Sequence, residues 1–327
     1  MSLIDILPTD DQLEIVSGLA RALENFPVAE ANMADVAALG FVAAGLPEDS
    51  GGLGLSIADE TLLNIELGRR VAGLEVLASG LAARVAAANG DAGLATDLVA
   101  GARVAAFAAP LAGWTAQGPR GEIHLIGHGD VYLAVSPFGA ALLTAADLAT
   151  ARAVEAMDAA AATGRTEVVS APSWLQADGV SIWRLASLSI AAQLTGLAMA
   201  TRDIGAEYAK VRVQFDKPIG SFQAIAHPLA DCAVRAEAAY DQVLFAAIAL
   251  RDGASDAGFQ VSAACLTAME AAFLNATTNI QTHGAMGFSA ITGAHIYLKR
   301  AVVLRHLAGG VRLHERAMLD ADAPLDR

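Results

Sequence analysis

The C-terminal part of the chain carries four apolar stripes at helical spacing, separated by short polar or glycine-rich turns. They predict helices over residues 188–213, from a cap at Ser221, over 260–282 and over 294–307, the last breaking at Gly309 and the next glycine. Helices of this length joined by short turns pack side by side, so we predict an antiparallel four-helix bundle. The stripe of the second helix comprises Ile225, Leu229, Ala233, Ala236, Tyr240, Val243, Ala247 and Leu250.

A different sequence period precedes the bundle. Short β-branched or aromatic runs, separated by glycine, proline and polar residues, predict a small antiparallel β domain. The alanine-rich stretch 145–162 fits either a short helix or a loop. The predicted strands are residues 103–110, 122–126, 130–135, 166–170 and 180–183.

The first third of the chain is helical in pattern, with a turn-rich loop at residues 45–54. Ser56 is the predicted cap of the helix that follows, where Asp59 and Glu60 in the first turn suit the helix dipole. The patterns together predict a helical domain over 1–101, a β domain over 102–183 and the bundle over 184–327. The apolar stripes that flank the loop comprise Val36, Leu39 and Ala43 before it, and Ala58, Leu62 and Ile65 after it.

The composition is unusually apolar, with 55% hydrophobic and 17% charged residues, and much of the excess is alanine. Closely packed helices and surfaces hidden in an oligomer both explain this balance, so we predict an oligomer. The net charge of −14 disfavours nucleic-acid and anionic membrane partners, and a polyanionic ligand would need local cations.

We expect a cytoplasmic protein. Asp5, Asp10 and Asp11 interrupt the N-terminus before any apolar run of signal-peptide length, and alanine-rich stretches such as 188–200 read as too short for a membrane span. Cys232 and another cysteine, Cys265, are expected to be buried free thiols rather than a disulfide or a metal site.

Residues 208–227 (YAKVRVQFDKPIGSFQAIAH) join a helix end, a cationic and aromatic turn, and a new helix start. This segment closely resembles the signature of the flavin-dependent acyl-CoA dehydrogenase family. Residues 281–288 (QTHGAMGF) resemble the glycine-rich turn of the same family at the matching spacing. The resemblance implies an α+β, mostly α chain with an N-terminal helical domain, a reduced middle β domain and a C-terminal four-helix bundle. It also implies FAD as cofactor.

Position by position, the resemblance assigns Arg212 to the FAD pyrophosphate, a role that suits the fork of a guanidinium. In the family this loop binds the FAD of a neighbouring subunit. Asp216 departs from the family, which usually has glycine there, and its charge would weaken pyrophosphate binding unless it points outward or pairs with Lys217. The other FAD-binding residues that the resemblance implies are Gln214 and Phe215 on the pyrophosphate and adenine side, Ile219, Phe222 and Gln223 in the channel wall, and Gln281, Gly284 and Ala285 at the diphosphate and adenosine.

Two further stretches bear on the resemblance. Residues 46–54 with 65–69 are similar to the family at moderate specificity, and we interpret most of them as a loop joining two helices. Residues 108–113 match a family segment that carries a threonine and a later serine, whose hydroxyl groups contact flavin or substrate. Here those positions are Ala108 and Trp114, which lack such groups.

The family reaction removes an α-proton from an acyl-CoA thioester with a glutamate, while a hydride leaves the β-carbon for the flavin. The commoner position of that glutamate falls on Ala308 or Gly309, and the alternative position falls on about Ala186. None of these residues accepts a proton, so the catalytic residue of this chain is unknown. Glu315 is a candidate substitute. The remaining carboxylates weighed, each predicted on a solvated helix face, are Glu207, Glu237 and Glu270.

The nearby cations and histidines offer no replacement base. His283, His295 and His306 show no metal-ligand spacing, and no metal is expected because the family uses none. His295 matches a histidine of short family members and is interpreted as structural. Lys299 and the adjacent Arg300 are expected to serve a subunit interface.

The chain therefore resembles the shorter partner of bacterial acyl-CoA dehydrogenases built from two different chains, as in steroid side-chain degradation. The leading hypothesis is FAD-dependent α,β-dehydrogenation of an acyl-CoA by a dimer or tetramer whose other chain carries the base. Electron-transfer flavoprotein or a similar protein would accept the electrons. The alternatives are a non-catalytic structural subunit and an active homo-oligomer with a displaced base.

Overall fold

A computed structural model describes residues 7–24, 33–111, 115–116, 118–158, 161, 163–170 and 177–321. The chain forms two compact units. The bundle unit comprises Met1–Val16, Thr61–Val71 and Ser187–Arg327, and the sheet unit comprises Ser17–Glu60 and Ala72–Ala186.

Helices lie at both ends of the chain and a sheet lies between them, which confirms the predicted fold class. The α-helices are α1 Asp10–Glu24, α2 Met33–Ala38, α3 Ile57–Arg69, α4 Leu74–Ala88, α5 Ala92–Val99, α6 Ala177–Val211, α7 Gln223–Arg251, α8 Ala257–His283, α9 Ala294–Leu307 and α10 Val311–Leu319. The strands are β1 Ala105–Pro110, β2 Gly121–Ile126, β3 Val131–Ser136, β4 Gly139–Leu143, β5 Arg152–Val154, β6 Thr163–Val168, β7 Val213–Gln214 and β8 Lys217–Pro218.

Hydrogen bonds between buried side chains and backbone define the directions of the bundle helices. Cys265 Sγ of α8 lies 3.3 Å from the Ser187 carbonyl of α6, and Asn275 Nδ2 further along α8 lies 3.1 Å from the Ala198 carbonyl. Residue numbers rise together along this pair, so α6 and α8 run parallel. The same Asn275 amide donates to the Cys232 carbonyl of α7 at 2.9 Å, while Gln242 meets Gln260, so α7 runs antiparallel to α8. The C-termini of α6 and α8 and the N-terminus of α7 therefore lie at one end.

The predicted bounds of α9 are confirmed, whereas α8 begins three residues earlier than predicted; Gly284 ends α8 with a φ of 59°. The prediction that Ser221 caps α7 is wrong. Its hydroxyl donates instead to the Pro218 carbonyl at 2.7 Å within a 3-10 turn, and α7 begins two residues later. The predicted α7 stripe is also wrong at Ala233, which is exposed, because the neighbouring Cys232 occupies the buried position.

The predicted strand at residues 180–183 is wrong, because this stretch belongs to α6. Ile182 and Trp183 are buried, while Ser181 and Arg184 are exposed at a spacing of one helical turn. A short apolar run does not distinguish strand from helix by its period. Since α6 crosses residue 183, the domain boundaries at 101 and 183 stay predictions.

The sheet unit is built on a six-stranded sheet in the order β4-β3-β1-β2-β6-β5. The first three predicted strands are confirmed, the fourth overlaps β6, and β4 and β5 were not predicted. The expectation of an all-antiparallel sheet is wrong at β1 and β3, which are parallel. The reason is that β2 returns antiparallel to the start of β1, so a short link over 127–130 brings β3 alongside β1 in the same direction. The stretch 145–162 contains the 3-10 turn Ala145–Asp147 and β5 where the structure describes it.

The prediction that Ser56 caps α3 is confirmed. Asp59 N–H donates to Ser56 Oγ at 3.3 Å, and Ser56 N–H donates to Asp59 Oδ2 at 2.9 Å, which are the reciprocal bonds of a capping box. In the sheet unit, the Glu60 carboxylate pairs with Arg84 at 2.8 Å, and both side chains are largely buried. On the predicted stripes, Leu39 is half-buried, and the buried members are Val36, Ala43, Ala58, Leu62 and Ile65.

Two helical segments, Ser181–Val211 and Ala257–Phe288, are long and apolar enough to cross a membrane by composition alone. The first is mostly buried within the chain and the second is half buried, as for core helices of a bundle. The expectation that the α6 region is too short for a span is therefore wrong on length. Its apolarity is explained by burial, and the cytoplasmic location stays a prediction.

Candidate functional site

A tight hairpin follows α6. Strands β7 and β8 pair Gln214 with Lys217, and the two residues between them, Phe215 and Asp216, have φ angles of 52° and 63°. Two consecutive positive φ angles define a type I′ turn, which strongly favours glycine, asparagine or aspartate. This backbone explains why glycine suits position 216 and why aspartate is tolerated there. Phe215 carries the greater strain, on the order of 1–3 kcal/mol.

The hairpin projects its side chains outward. Phe215 is 85% exposed, and its ring meets the edge of Phe222 at a centroid distance of 6.0 Å. Lys217 Nζ lies 4.4 Å above the Phe222 ring, and within the described ranges it forms no ion pair with Asp216, whose carboxylate is exposed. The Arg212 guanidinium is also exposed and has no hydrogen-bond or ion-pair partner among the described residues. The segment thus presents two cations to solvent.

The backbone of the same segment is fixed against α6. Ile219 N donates to the Arg212 carbonyl at 2.8 Å, and Arg212 N donates to the Tyr208 carbonyl at 2.9 Å. A Cβ on Gly220 would lie 3.1 Å from the Ala209 carbonyl oxygen, so the returning chain lies directly on the last turn of α6. Arg212 is therefore held on an ordered backbone although its side chain is free.

The second segment begins in the last turn of α8. Gly284 has φ 59° and ψ −137°, a conformation essentially restricted to glycine. No described atom lies within 4 Å of the position that a Cβ on Gly284 would take. Gln281 and Ala285 are exposed beside it, and the Gln281 amide has no side-chain hydrogen bond in the described part of the chain. The missing Cβ therefore leaves room for a ligand to approach this backbone closely.

The two segments lie at the same end of the bundle, which we call the loop end and define as residues 212–223 and 281–288. Tyr208 of α6 and His283 of α8 stack with a centroid distance of 4.0 Å and an interplanar angle of 22°. The loop end therefore contains all nine residues predicted to bind FAD. Sequence reasoning gave no role to Tyr208 and weighed His283 only as a metal ligand, since no sequence pattern signals a contact between distant rings.

Large apolar side chains also cluster at the loop end. Phe288 is 77% exposed in the 3-10 turn after Gly284, and a hydrogen bond from Thr292 Oγ1 to the Met286 carbonyl at 2.8 Å places the start of α9 beside that turn. Exposed apolar surface of this kind marks an interaction site. The exposed members at and beside the loop end are Val211, Val213, Phe215, Met286, Phe288 and Ile291.

The positions expected for a catalytic glutamate are apolar and largely closed. Ala308 is fully buried at the end of α9, and its carbonyl accepts a hydrogen bond from His314 Nε2 at 2.9 Å. Burial lowers the pKa of His314, although this hydrogen bond opposes the shift. Gly309 is exposed with a φ of 82°, and Ala186 is buried in α6. None of the three offers a proton-accepting side chain.

The other candidate carboxylates are exposed on helices of the bundle unit. The prediction that Glu207, Glu237 and Glu270 lie on solvated helix faces is confirmed, and Glu315 is exposed on α10. Within the described residues, no group of three or more His, Cys, Asp or Glu side chains is arranged to hold a metal ion.

Buried polar groups fix the interior of the bundle unit. The expectation that Arg300 serves a subunit interface is wrong, since it is 1% exposed within its own chain. Arg69 pairs with the half-exposed Asp203 at 2.9 Å. Partial burial opposes the shift, but hydrogen bonds and charge from Arg202 and Arg69 lower the pKa of Asp203. Burial raises the pKa of the Cys265 thiol, as expected for an inert buried cysteine.

Of the two middle-domain positions where the family carries hydroxyl groups, Ala108 is buried in β1 and Trp114 lies outside the described residues.

Two known protein-family domains match most of this chain. The family described as "Acyl-CoA dehydrogenase, C-terminal domain" matches residues 184–318, and "Acyl-CoA dehydrogenase, N-terminal domain" matches residues 12–96. The first match includes the whole loop end and the closed positions after α9.

Two relatives from Mycobacterium tuberculosis extend the match. Acyl-CoA dehydrogenase FadE34 is 34% identical over 85% of this chain, which spans 40% of that relative's length. Acyl-CoA dehydrogenase IpdE2 is 31% identical over 80% of this chain and 77% of the relative. A solved structure, the ChsE4-ChsE5 complex from the same organism, shares the fold with a TM-score of 0.82 at 22% identity, covering 97% of this chain and 100% of that chain. The chain therefore belongs to the acyl-CoA dehydrogenase family, whose cofactor is FAD.

Proposed function

We propose that this chain takes part in FAD-dependent α,β-dehydrogenation of an acyl-CoA thioester, as one subunit of a heteromeric enzyme, and that its loop end supplies part of the FAD site. The observation that carries the proposal is an exposed Arg212 side chain without a partner among the described residues, on the same end of the bundle as Gly284, where a Cβ would meet no described atom. A guanidinium fork forms paired hydrogen bonds to a pyrophosphate, and a glycine without a Cβ lets the pyrophosphate approach closely.

Each loop-end residue has a chemical part in this proposal. When bound, FAD supplies a hydride acceptor for the β-carbon of the acyl group. Arg212 would donate paired N–H groups to the pyrophosphate, and Gly284 with Ala285 would let the backbone approach it. Gln214, Gln223 and Gln281 would hydrogen-bond the adenosine portion, and the aromatic and aliphatic walls would come from Phe215, Ile219 and Phe222.

The exposure of the loop end supports a site shared with another chain. Large apolar side chains such as Phe215 and Phe288 lie open to solvent there, and a partner subunit would cover them. The chain as a whole carries a net charge of −14, which repels a polyanion. The exposed cations Arg212 and Lys217 provide local attraction for it. We therefore place the FAD between this chain and its partner.

The proton acceptor is proposed to come from the partner. Helix α9 has 14 residues, so about 20 Å of helix axis separates the loop end from Ala308. Neither Ala308, Gly309 nor Ala186 has an ionisable side chain. The existence of a solved ChsE4-ChsE5 complex with this fold supports an assembly of two different chains. The proposed substrate is an acyl-CoA of fatty acid or steroid side-chain degradation, and electron-transfer flavoprotein or a similar protein is the proposed acceptor.

Co-purification tests this proposal. The chain is produced alone and together with the product of a neighbouring acyl-CoA dehydrogenase gene, and bound flavin is measured by visible absorbance. We expect little flavin on the chain alone and a full flavin complement in the complex. A yellow chain that reduces a dye with acyl-CoA by itself would contradict the heteromer, and loss of that activity in Glu315→Gln would identify a displaced base. A complex whose flavin does not respond to Arg212→Ala would instead favour a purely structural subunit.

A further inference from the structure

The two FAD segments come from parts of the chain that are distant in sequence, and a single ring stack lies between them. Tyr208 is on α6, one turn before Arg212, whose backbone N–H donates to the Tyr208 carbonyl at 2.9 Å. His283 is the last residue of α8 and directly precedes Gly284. Each ring is therefore on the backbone next to one of the two residues proposed to contact the pyrophosphate: Tyr208 near Arg212, and His283 beside Gly284.

The imidazole of His283 is held in one orientation. Its Nδ1 lies 2.8 Å from the Asn279 carbonyl, which only accepts, so Nδ1 carries the hydrogen and donates it. The residue is 8% exposed, so surrounding atoms restrict rotation of the ring. The Tyr208 ring thus packs on a fixed surface, at 4.0 Å between centroids and 22° between planes.

A glycine one turn earlier permits this approach. A Cβ on Gly205 would lie 3.1 Å from Leu229 Cδ2 of α7 and 3.5 Å from Asn279 Oδ1 of α8. A Cβ there would already be in van der Waals contact with Asn279 and would need the end of the Leu229 side chain to shift by a few tenths of an ångström, so there is little spare space between the helices at this level. The close spacing of the helices at this level brings the two rings into contact at the next turn.

We propose that Tyr208 and His283 are positioning residues, whose stack fixes Arg212 relative to Gly284 so that both reach one dinucleotide. The inference rests on the proposed role of the loop end in binding FAD. Neither ring needs to touch the cofactor. Their contribution is to fix α6 relative to α8. Because the hairpin follows α6 and the glycine turn follows α8, these two segments are then also fixed relative to each other.

A double-mutant cycle on FAD affinity tests the stack. The flavin-binding complex is prepared with Tyr208→Ala, His283→Ala and both changes, and the dissociation constant for FAD is measured by titration. We expect about a tenfold loss for each single change and about the same tenfold loss for the pair, since both remove one interaction. Tyr208→Phe keeps the ring and is expected to bind within twofold of the unchanged protein. Phe138→Ala, which removes an exposed ring of the sheet unit, is the control and is expected to have no effect.

The outcomes separate the inference from the proposed function. If both alanine variants bind FAD normally while Arg212→Ala binds weakly, the stack has no positioning role and the function stands. If Arg212→Ala also binds normally, the proposed function itself is wrong. Single losses that multiply to about a hundredfold would show two independent roles and overturn the stack. If the alanine variants fail to fold, Tyr208→Leu and His283→Leu are measured instead. Unchanged FAD affinity without the aromatic rings would overturn the positioning role, and weakened FAD affinity would support it.

Discussion

The two ends of the C-terminal bundle differ in what they offer a ligand. At the loop end, Arg212 is exposed without a described side-chain partner, and Gly284 is exposed with open space where a Cβ would lie. At the opposite end, which we call the closed end and define as residues 307–314, Ala308 is buried and its carbonyl is bound to His314. The loop end leaves space and an exposed guanidinium for a ligand, and the closed end is filled by its own side chains and hydrogen bonds. The proposed function, a chain that contributes to a cofactor site without supplying the base, requires this difference.

Replacing the free arginine tests the loop end most strongly. Arg212→Ala should weaken FAD binding about 10- to 100-fold, because it removes charge-assisted hydrogen bonds to a pyrophosphate. The measurement is an FAD titration of the flavin-binding complex. Arg305→Ala is the matched control, since Arg305 is an exposed arginine on the last turn of α9 and should leave affinity unchanged. Equal effects of the two changes would remove the distinction between the ends.

Paired glycine substitutions sharpen the comparison. Gly284→Ala and Gly310→Ala both place a Cβ at positive φ, 59° and 77°, and each should destabilise the fold by about 1–3 kcal/mol. Only Gly284→Ala should also weaken FAD binding, because its backbone is the proposed approach to the pyrophosphate. Thermal unfolding gives the first quantity and FAD titration the second. Weakened FAD binding in Gly310→Ala would contradict the assignment of the cofactor to the loop end.

Acid should lower the stability that the closed end contributes to the fold. Burial lowers the pKa of His314, so the folded chain binds fewer protons there than the unfolded chain. Stability contributed by neutral His314 is therefore present above the ordinary pKa of about 6.5 and is lost as pH falls below it. Unfolding temperatures measured between neutral and mildly acidic pH should fall less for His314→Asn than for the unchanged chain. Burial lowers the pKa of His306 as well, so His306→Asn is measured alongside to separate the two contributions. An unchanged pH dependence in both variants would contradict the account.

The smallest expected effect concerns the turn residue at which the chain departs from its family. Asp216→Gly should raise stability by less than about 1 kcal/mol, because glycine adopts a φ of 63° without strain. It should also tighten FAD binding about two- to fivefold by removing a negative charge near the pyrophosphate. Asp216→Asn is the matched control, since it removes the charge and still tolerates the turn. If Asp216→Asn leaves the affinity unchanged, the carboxylate points away from the cofactor.

The sequence predicted the long elements well and the short ones poorly. Helices α8 and α9 follow long apolar stripes that end at glycines, so their bounds were predicted closely. Residues 180–183 were misassigned to a strand because a short apolar run such as Ile182 and Trp183 is compatible with both the strand period and the helix period. Strand β4 reads as an alanine-rich stretch, and β5 has only three residues, so neither gives a strand pattern.

The candidate site divides in the same way. Its nine residues were predicted because they lie in two contiguous segments with a recognisable pattern. The stack of Tyr208 on His283 and the bond from His314 to Ala308 were not, because each joins side chains whose proximity depends on how the helices pack. The type I′ turn at Phe215 was missed because phenylalanine is a rare residue at positive φ.

The central claim is that this chain contributes to a cofactor site at one end and lacks a base at the other. Anaerobic addition of acyl-CoA in the presence of FAD tests it most directly, with reduction followed by loss of the visible flavin absorbance. We predict no bleaching when this chain is alone with added FAD, and rapid bleaching when the base-carrying partner is present. Bleaching by this chain with added FAD and without any partner would contradict the claim.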